Sequence, residues 1–439
     1  MIHVSAPGKL MLLGEHAILY GQPCIVTAIN RRLTVSMEET DDRKVTIEAP
    51  QVADTRFVEA AVRVGCQAWG IRHKGLRIQT QSELGTYGFG SSAAATVATL
   101  EALRLLFHRE VEKQECFNVA KQVVLAVQGA GSGFDVAAAI WGGTLYFADG
   151  GNIIEPLSIK EMPLVVGYTG VKADTTTRIS EVSQKRKKYQ EKVDRIFQAI
   201  GKLVEEAKTK ILEEDWERVG KLMDFNQEYL RDLGVSTQKL EDLILAAKQA
   251  GALGAKLSGA GGGDCMITLV TRDTREVIRK KIEQVGGEVI DVVPNAEGVQ
   301  ETTDNGQELL IVVDKTDHVV GYRTRYDCHH DKSLIHRTAG VIIFDDNGRV
   351  LLQKRSATKD MGPGLWGISA AGHVTRGQSY DEAIHRELIE ELGVDMPIEY
   401  VTKFLVADED ETELSALYKG ISNGPFKPNP EEVERLEFF

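Results

Sequence analysis

A turn rich in glycine and serine, Gly88-Phe-Gly-Ser-Ser-Ala-Ala, leads directly into strong helix formers that continue to residue 107. Glycines let a backbone approach a phosphate closely, and a helix starting at the serines would point its free N–H groups and positive dipole end at that anion. The serine hydroxyls offer ligands for a phosphate-bound Mg²⁺. No Gly-Lys-Ser/Thr ends the segment, so it is not a Walker A loop. Taken alone, the turn is equally consistent with an ordinary helix cap.

Two further glycine-rich segments accompany this turn. They are SAPGKLMLLGEHA at 5–17 and KLSGAGGGDC at 256–265. Each of them alone could be a tight loop. Three such segments in this order are difficult to obtain by chance, which favours one shared function over three unrelated turns.

The overall charge narrows the classes of partner. The 439-residue chain has a net charge of −13 and a pI near 5.4, which opposes binding to nucleic-acid phosphates or to an anionic membrane surface. The five cysteines include no Cys-x-x-Cys pair, the N-terminus lacks signal-peptide features, and no apolar run approaches the ~18 residues of a membrane span. We therefore predict a cytoplasmic protein with reduced thiols. The oligomeric state stays open, a homodimer included.

The periodicity of apolar residues outlines the order of elements. Residues 1–40 read as strands and turns, 178–233 as a long charged helical segment, and 264–297 as strand, helix and strand. The polar stretch 295–308 is punctuated by Gly and Asn and is the best linker candidate. A new alternating pattern follows it, with a hairpin predicted at Asp-Asp-Asn-Gly.

The three glycine-rich segments resemble the three sequence motifs of GHMP kinases, and APGKLMLLGEHAILYG is especially similar to mevalonate kinases. The resemblance runs from residue 1 to about residue 300. It implies an α/β (α+β) chain with a two-lobed GHMP kinase fold, in which ATP and an acceptor meet between lobes 1–165 and 166–300. It also implies ATP and Mg²⁺ as cofactors, and mevalonate as the acceptor that becomes 5-phosphomevalonate.

The resemblance assigns roles to individual residues. Asp135, in GAGSGFDVAAA, matches the aspartate that takes the acceptor's hydroxyl proton, and Lys9 matches the lysine that keeps it ionised and stabilises the transferring phosphoryl group. Without the resemblance, Asp135 could be a helix N-cap, Lys9 a surface lysine and His16 a core or capping residue. The implied ATP-binding residues are Gly88, Gly90, Ser91, Ser92 (also a Mg²⁺ ligand) and Ala93. The implied acceptor-binding residues are Glu15, His16, Thr175, Ser258, Gly259 and Ala260.

One departure from the mevalonate kinase pattern affects the metal. Val124 stands where these kinases usually carry a Mg²⁺-binding glutamate, so the ion would be held by Ser92, ATP and water, or by another residue that the sequence does not identify. The segments GSGFDVAAA and SGAGGGDC are also similar to phosphomevalonate kinases, which leaves phosphomevalonate as the alternative acceptor. A second phosphate on the acceptor would call for more basic residues, and Arg31, Arg32 and Lys172 are candidates.

A different motif occupies residues 372–394, GHVTRGQSYDEAIHRELIEELGV. Glu387, Glu390 and Glu391 fall at i, i+3 and i+4 of a helix and so share a face. Three like charges there would repel each other unless they bind cations, and Mg²⁺ bridging a diphosphate fits that need. An exposed acidic helix face is the alternative.

The spacing of this motif resembles the Nudix box. The resemblance implies a Nudix α/β/α sandwich over 309–439 after a linker at 301–308, with a diphosphate as substrate. The first glutamate of the box is Gln378 here, which weakens one potential metal ligand. The chain ends at LEFF, where these domains normally continue through a further helix, so a short or truncated domain is expected.

The residues around the motif are similar to the Nudix branch that contains isopentenyl-diphosphate isomerase and its hydrolase relatives. The isomerase's metal-binding set is matched by His329 or His330, His336, His373, Glu411 and Glu413. Ala371 replaces the isomerase's catalytic cysteine. Because isomerisation by protonation at carbon needs a positioned acid and base, diphosphate hydrolysis is the favoured prediction. Isomerisation and a non-catalytic ligand-binding or dimerisation module remain alternatives.

Overall fold

The computed structural model describes residues 1–49, 55–129, 131–302, 309–329, 331–356, 364–407, 411–430 and 432–439. The chain forms two compact units, Met1–Gln300 and Glu301–Phe439. Within the described ranges, no helix is long and apolar enough to cross a membrane. Residues 303–308 of the predicted linker and the alternative ligand His330 lie outside the described residues.

The first unit opens with a mostly antiparallel sheet, as the alternating pattern of residues 1–40 predicts. Its strands are β1 (Ile2–Leu13), β2 (Cys24–Glu39), β3 (Val45–Glu48), β4 (Leu76–Ser82), β5 (Thr144–Ala148) and β6 (Ile153–Pro156). β1 and β2 form a long antiparallel pair. β1 is buried from Val4 onward, which explains its almost continuous apolar sequence. This burial places Lys9 inside the unit rather than on its surface.

Helices cover this sheet and share its hydrophobic core. They are α1 (Arg56–Trp69), α2 (Ser91–Leu106), α3 (Lys113–Gln128) and α4 (Phe134–Trp141), with short 3₁₀ turns at Ala17–Tyr20 and Asp149–Gly151. The helix predicted over 91–107 is confirmed by α2. Alanines along α2 belong to the same buried cluster as the apolar residues of β1 and β2. Their small side chains let the helix lie close to the sheet.

A second antiparallel sheet and a helical layer complete the first unit. The strands are β7 (Leu164–Tyr168), β8 (Gly254–Ser258), β9 (Cys265–Leu269) and β10 (Glu288–Ile290), in the order β10-β7-β9-β8. The helices are α5 (Thr175–Lys188), α6 (Gln190–Leu212), α7 (Trp216–Leu233), α8 (Gln238–Gln249) and α9 (Arg275–Gln284). The strand, helix and strand predicted over 264–297 are confirmed by β9, α9 and β10.

Two details differ from the sequence-based expectations. The helical segment 178–233 is broken into α5, α6 and α7, because Tyr189 leaves the helical conformation and Asp215 caps α7 after Glu214 adopts a positive φ of 54°. The expected lobe boundary between 165 and 166 falls inside β7, all of which pairs with β9. The change from one sheet to the other therefore lies between Pro156 and Leu164.

The second unit is built on a mixed sheet. A short strand β11 (Gln300–Thr302) spans the division between the units, and the sheet itself contains β12 (Leu309–Val313), β13 (Val319–Thr324), β14 (Ile335–Phe344), β15 (Val350–Arg355), β16 (Trp366–Gly367), β17 (Ala370–His373), β18 (Ile398–Ala407), β19 (Thr412–Ile421) and β20 (Val433–Phe438). Helices α10 (Arg325–Cys328) and α11 (Tyr380–Leu392) accompany it. The hairpin predicted at Asp-Asp-Asn-Gly joins β14 to β15.

Three neighbouring strands organise the middle of this sheet. β14 pairs parallel with β19, placing His336 opposite Glu413, and antiparallel with β17, placing Thr338 opposite His373. α11 buries Ile384, Leu388 and Leu392 in the core of this unit. The sheet and helix together bring the predicted Nudix residues to one region of the second unit.

Candidate active sites

Lys9 and Asp135 lie together in the first unit. Nζ of Lys9 donates a hydrogen bond to the carbonyl oxygen of Gly88 at 2.9 Å. Asp135 is in the first turn of α4, which begins after Gly133 at a φ of 94°. Burial lowers the pKa of the Lys9 ammonium, and the charge of Asp135 offsets part of that effect. Burial likewise raises the pKa of the Asp135 carboxyl, and Lys9 opposes it. Each group therefore opposes the effect of burial on the pKa of the other.

The glycine-rich turn places the N-terminus of α2 beside this pair. Gly88 and Gly90 have φ values of 80° and 82°, and α2 begins at Ser91. A Cβ on Gly90 would lie 3.2 Å from Cε of Lys9, so the glycine lets the lysine side chain pass. Ser92 is in the first turn of α2, where backbone N–H groups have no intrahelical acceptor. The result is an anion-binding helix end next to a lysine.

Asp264 is a carboxylate that the sequence-based assignments did not include. A Cβ built on Gly88 would lie 2.4 Å from its Oδ2, so the carboxyl packs directly against the glycine-rich turn. Its Oδ1 accepts a hydrogen bond from the backbone N–H of Ala173 at 2.9 Å. Burial raises the pKa of Asp264, and Lys9 opposes that shift. The sequence signal that could have identified Asp264 is its position directly after three consecutive glycines.

The turn after β1 presents His16. Its φ is 60°, and its Nε2 lies 2.9 Å from the carbonyl oxygen of Ala260. Burial lowers the pKa of the His16 imidazole, which favours the neutral ring. Gly259 has a φ of 105°, and a Cβ there would meet none of the described atoms within 4 Å. Three of the predicted acceptor residues are thus brought together.

Three other predicted acceptor residues are placed differently. Glu15 is buried, and its carboxylate contacts the ammonium of Lys256. The hydroxyl of Ser258 donates to the carbonyl oxygen of Met11 and accepts from the Met11 N–H, both at 3.0 Å, so it joins β8 to β1. Thr175 is exposed at the start of α5. The hydroxyl of Ser258 thus has one donated and one accepted hydrogen bond within the protein, and its role toward the acceptor stays a prediction.

The basic residues considered for a second phosphate are largely engaged elsewhere. Arg32 donates to Oγ of Ser5 at 2.8 Å and to the carbonyl oxygen of Gly298 at 2.6 Å. Nε of Arg31 donates to the carbonyl oxygen of Asp291 at 3.1 Å. Both guanidinium groups therefore stabilise the backbone.

Two positions bear on acceptor phosphate and metal binding. Lys172 is exposed, so it remains a candidate ligand for an acceptor phosphate. Val124 is 3% exposed in the hydrophobic core, where it supplies no metal ligand.

The second unit contains a cluster of imidazoles and a carboxylate. Ligand atoms of His329, His336, His373 and Glu411 all lie within 4.8 Å of one another, the only such group found among the described residues. Nε2 of His329 is 3.0 Å from Nε2 of His373 and 3.1 Å from Oε2 of Glu411. Glu413 lies just outside the cluster, 3.8 Å from Nε2 of His336.

The environment of the cluster favours neutral imidazoles. Burial lowers the pKa of His336 to about 4, and burial also places the pKa of His373 well below its usual range. A neutral imidazole has a free lone pair, which is the form that binds a metal ion. Close imidazoles and a carboxylate suit a divalent transition metal better than Mg²⁺, which prefers oxygen ligands. The side chains present thus fit a metal ion.

The three glutamates of α11 do not share one environment. Glu391 is 2% exposed, and its Oε2 accepts from Nε2 of Gln353 at 3.0 Å and from the N–H of Ala371 at 3.3 Å. Oε1 of Glu387 accepts from Arg386 at 2.8 Å. The side chain of Glu390 is 55% exposed. The three carboxylates therefore differ in exposure and in hydrogen-bond partners, and their shared role as metal ligands stays a prediction.

The structure explains two residues of the motif, Gly372 and Gln378. A Cβ on Gly372 would lie 2.0 Å from Oε1 of Glu387, so glycine makes room for that carboxylate on β17. The side-chain oxygen of Gln378 accepts from Oγ1 of Thr375 at 2.8 Å and closes the turn before α11. Gln378 therefore stabilises the turn that precedes α11.

Known proteins match both units. Residues 56–143 match the model of the GHMP kinases N terminal domain, 203–288 that of the GHMP kinases C terminal region, and 334–439 that of the NUDIX domain. A mevalonate kinase from Pyrococcus horikoshii is 38% identical over 302 residues, which cover 62% of this chain and 90% of that protein. The chain belongs to the mevalonate kinase family. Residues 334–439 add a Nudix domain to the family's kinase unit.

Two solved structures are similar to the kinase unit. Mevalonate kinase from Methanococcus jannaschii matches with a TM-score of 0.58 and 25% identity, covering 66% of this chain and 97% of that one. A phosphomevalonate kinase from Streptococcus pneumoniae matches with a TM-score of 0.58 and 20% identity, covering 67% of this chain and 99% of that one. At that identity the second likeness shows the fold alone. The mevalonate kinase family is a GHMP kinase family of the α/β class, so the predicted fold class is confirmed.

Proposed function

We propose that the first unit transfers the γ-phosphate of ATP to the hydroxyl of mevalonate. The observation that carries this proposal is the Lys9–Asp135 pair beside the N-terminus of α2. Asp135 would accept the hydroxyl proton, since Lys9 favours its ionised form. Lys9 and the N–H groups of the glycine-rich turn would stabilise negative charge on the transferring phosphoryl group.

The residues also fit the Mg²⁺ that accompanies ATP in such transfers. The hydroxyl oxygen of Ser92 is at the helix end where the phosphates would lie, and hydroxyl groups are suitable ligands for Mg²⁺. The ion would neutralise charge on the phosphates. Since Val124 is a core residue, the remaining ligands would be ATP oxygens and water.

Mevalonate is favoured over phosphomevalonate as the acceptor. Arg31 and Arg32 are hydrogen-bonded to backbone carbonyls, which leaves exposed Lys172 as the remaining basic candidate for a second phosphate. His16, Gly259 and Ala260 would line the acceptor side. We expect kcat/KM for mevalonate to exceed that for phosphomevalonate by at least about tenfold, because an unpaired phosphate is disfavoured. A steady-state comparison of both acceptors tests this, and equal or reversed values would contradict it.

Replacing Gly88 by alanine is expected to raise the KM for ATP at least about tenfold, because a methyl group would collide with Asp264 and the positive φ disfavours it. Gly129→Ala is the matched control. Gly129 also has a positive φ, of 73°, but a Cβ there meets none of the described atoms within 4 Å. The measurement is initial rate against ATP concentration. An equal effect of both substitutions would show that the contact with Asp264 is unimportant.

For the Nudix domain we propose hydrolysis of a diphosphate assisted by divalent metal ions. Glu387 would bind the cation of the Nudix box. A transition metal would be bound by the cluster of His329, His336, His373 and Glu411. A bound cation would polarise the phosphoryl oxygens of the substrate. Ala371 provides no acid or base, so isomerisation of isopentenyl diphosphate is disfavoured. The test measures phosphate release from nucleoside diphosphates and from isopentenyl diphosphate, together with formation of the isomer. Phosphate release indicates hydrolysis, and formation of the isomer indicates isomerisation. If neither product forms, the domain is a non-catalytic module.

A cytoplasmic location belongs to the same proposal and rests on the sequence composition. The oligomeric state stays open, a homodimer included. Sedimentation of the full chain would test the oligomeric state directly.

A further inference from the structure

A buried ion pair joins the two sheets of the first unit. Glu15, in the turn after β1, and Lys256, in β8, contact each other through Oε1 and Nζ, and both side chains are fully buried. The Lys256 ammonium also donates to the carbonyl oxygen of Leu257. The two residues are separated by 241 positions in the sequence. None of the motif-based roles uses Lys256.

Hydrogen bonds surround this pair and tie the same two segments together. Ser258 bonds to the backbone of Met11, and the N–H of Gly14 donates to Oδ1 of Asn226 at 3.3 Å. The ring of His16 bonds to the carbonyl oxygen of Ala260 at 2.9 Å. Besides the hydrogen bonds within the turn itself, the turn that presents His16 is therefore tied to β8, to the loop after β8 and to α7.

The ion pair is the energetically sensitive part of this junction. A buried charge is strongly unfavourable unless it is paired, so removing one partner costs more than replacing both by neutral groups. Oε2 of Glu15 makes no hydrogen bond to the described residues, so Lys256 is the main group that compensates this carboxylate. Burial raises the pKa of Glu15, and Lys256 opposes that shift. Without the ammonium, the Glu15 carboxylate would be buried without its main countercharge, which would destabilise the turn that carries it.

We propose that Lys256 is a positioning residue for phosphoryl transfer. Its ammonium holds Glu15 and thereby fixes the turn Gly14–His16 against Ala260, on the acceptor side of the site. On this proposal Glu15 acts through its pairing with Lys256 rather than through contact with the acceptor. The inference rests on the proposed kinase activity, so its test includes a readout that does not depend on turnover.

The test is a double-mutant cycle of Lys256→Met, Glu15→Gln and the combined variant in the full chain. Lys256→Met should lower kcat/KM for mevalonate by about 100-fold, mainly through KM, because it leaves a buried carboxylate unpaired. The combined variant should recover at least tenfold of that loss. Lys248→Met is the matched control, because Lys248 pairs with Asp224 at 2.8 Å on a partly exposed surface. It should change kcat/KM less than threefold.

Hydrogen exchange of the backbone amides in 10–17 is the second readout. Exchange should accelerate in Lys256→Met and return toward the wild-type rate in the combined variant. If the wild-type chain does not phosphorylate mevalonate but this exchange pattern is found, the proposed function fails, while the part of Lys256 in holding the turn Gly14–His16 stands.

Several results would overturn the positioning role. One is a folded Lys256→Met variant with wild-type KM and exchange. Another is a folded combined variant as inactive as Lys256→Met, since Glu15 would then act directly on the reaction. If Lys256→Met does not fold, the combined variant alone decides: activity within tenfold of wild type supports the proposal, and a folded inactive protein contradicts it.

Discussion

Asp135→Asn should lower kcat for phosphoryl transfer to mevalonate by roughly 10³-fold, within the range expected for loss of a general base. The substitution keeps the size of the side chain and its place in the first turn of α4. It removes the carboxylate that would accept the hydroxyl proton. ATP should still bind, because the substitution leaves the glycine-rich turn and the N-terminus of α2 unchanged.

The measurement is kcat with saturating ATP and mevalonate, together with calorimetric ATP binding. Asp41→Asn is a suitable control, since the side chain of Asp41 is 88% exposed and pairs with Lys74 at 2.9 Å on the surface. A surface pair of this kind contributes little to stability. An Asp135→Asn enzyme with kcat within threefold of wild type would refute the role of Asp135 as base. Loss of ATP binding would show instead that the substitution had disturbed the nucleotide site.

His336→Ala should weaken binding of a divalent transition metal by the Nudix domain by at least about 100-fold. Removing a residue that only hydrogen-bonds to a metal ligand already lowers metal affinity roughly 10–100-fold. His336 would bind the metal directly, so its loss should have a larger effect. It has no solvent exposure and lies on β14 between the strands that carry His373 and Glu413. Mn²⁺ titration of the chelator-treated full chain provides the measurement. Diphosphate hydrolysis should fall in parallel.

His318→Ala tests whether the effect is specific to the cluster. His318 belongs to the same unit, but its side chain is 80% exposed and it interacts with Asp314 and Thr316 near the surface. Metal affinity should be unchanged in this variant. Phosphorylation of mevalonate should be unchanged in both variants. Unaltered Mn²⁺ binding by a folded His336→Ala protein would exclude the proposed metal centre.

Local sequence patterns were most informative where a function depends on consecutive residues. The glycine-rich turn and the start of α2 at Ser91 agree with the sequence analysis, because glycine conformation and helix propensity act over a few residues. The spacing of the α11 glutamates was also correctly read as helical. Their different environments could not be predicted from spacing, because spacing does not show that Gln353 and the backbone of Ala371 donate hydrogen bonds to the carboxylate of Glu391.

By itself, the sequence determined the family, the order of most elements and the catalytic candidates Lys9 and Asp135. Only the tertiary structure showed that Asp264 packs on Gly88, that Lys256 neutralises Glu15, and that Ser258 joins two strands. The histidine cluster likewise depends on the pairing of β14 with β17 and β19. The physical reason is that burial and ion pairing depend on which segments, distant in sequence, come into contact. Strand pairing and register determine those contacts, and no local sequence pattern encodes them.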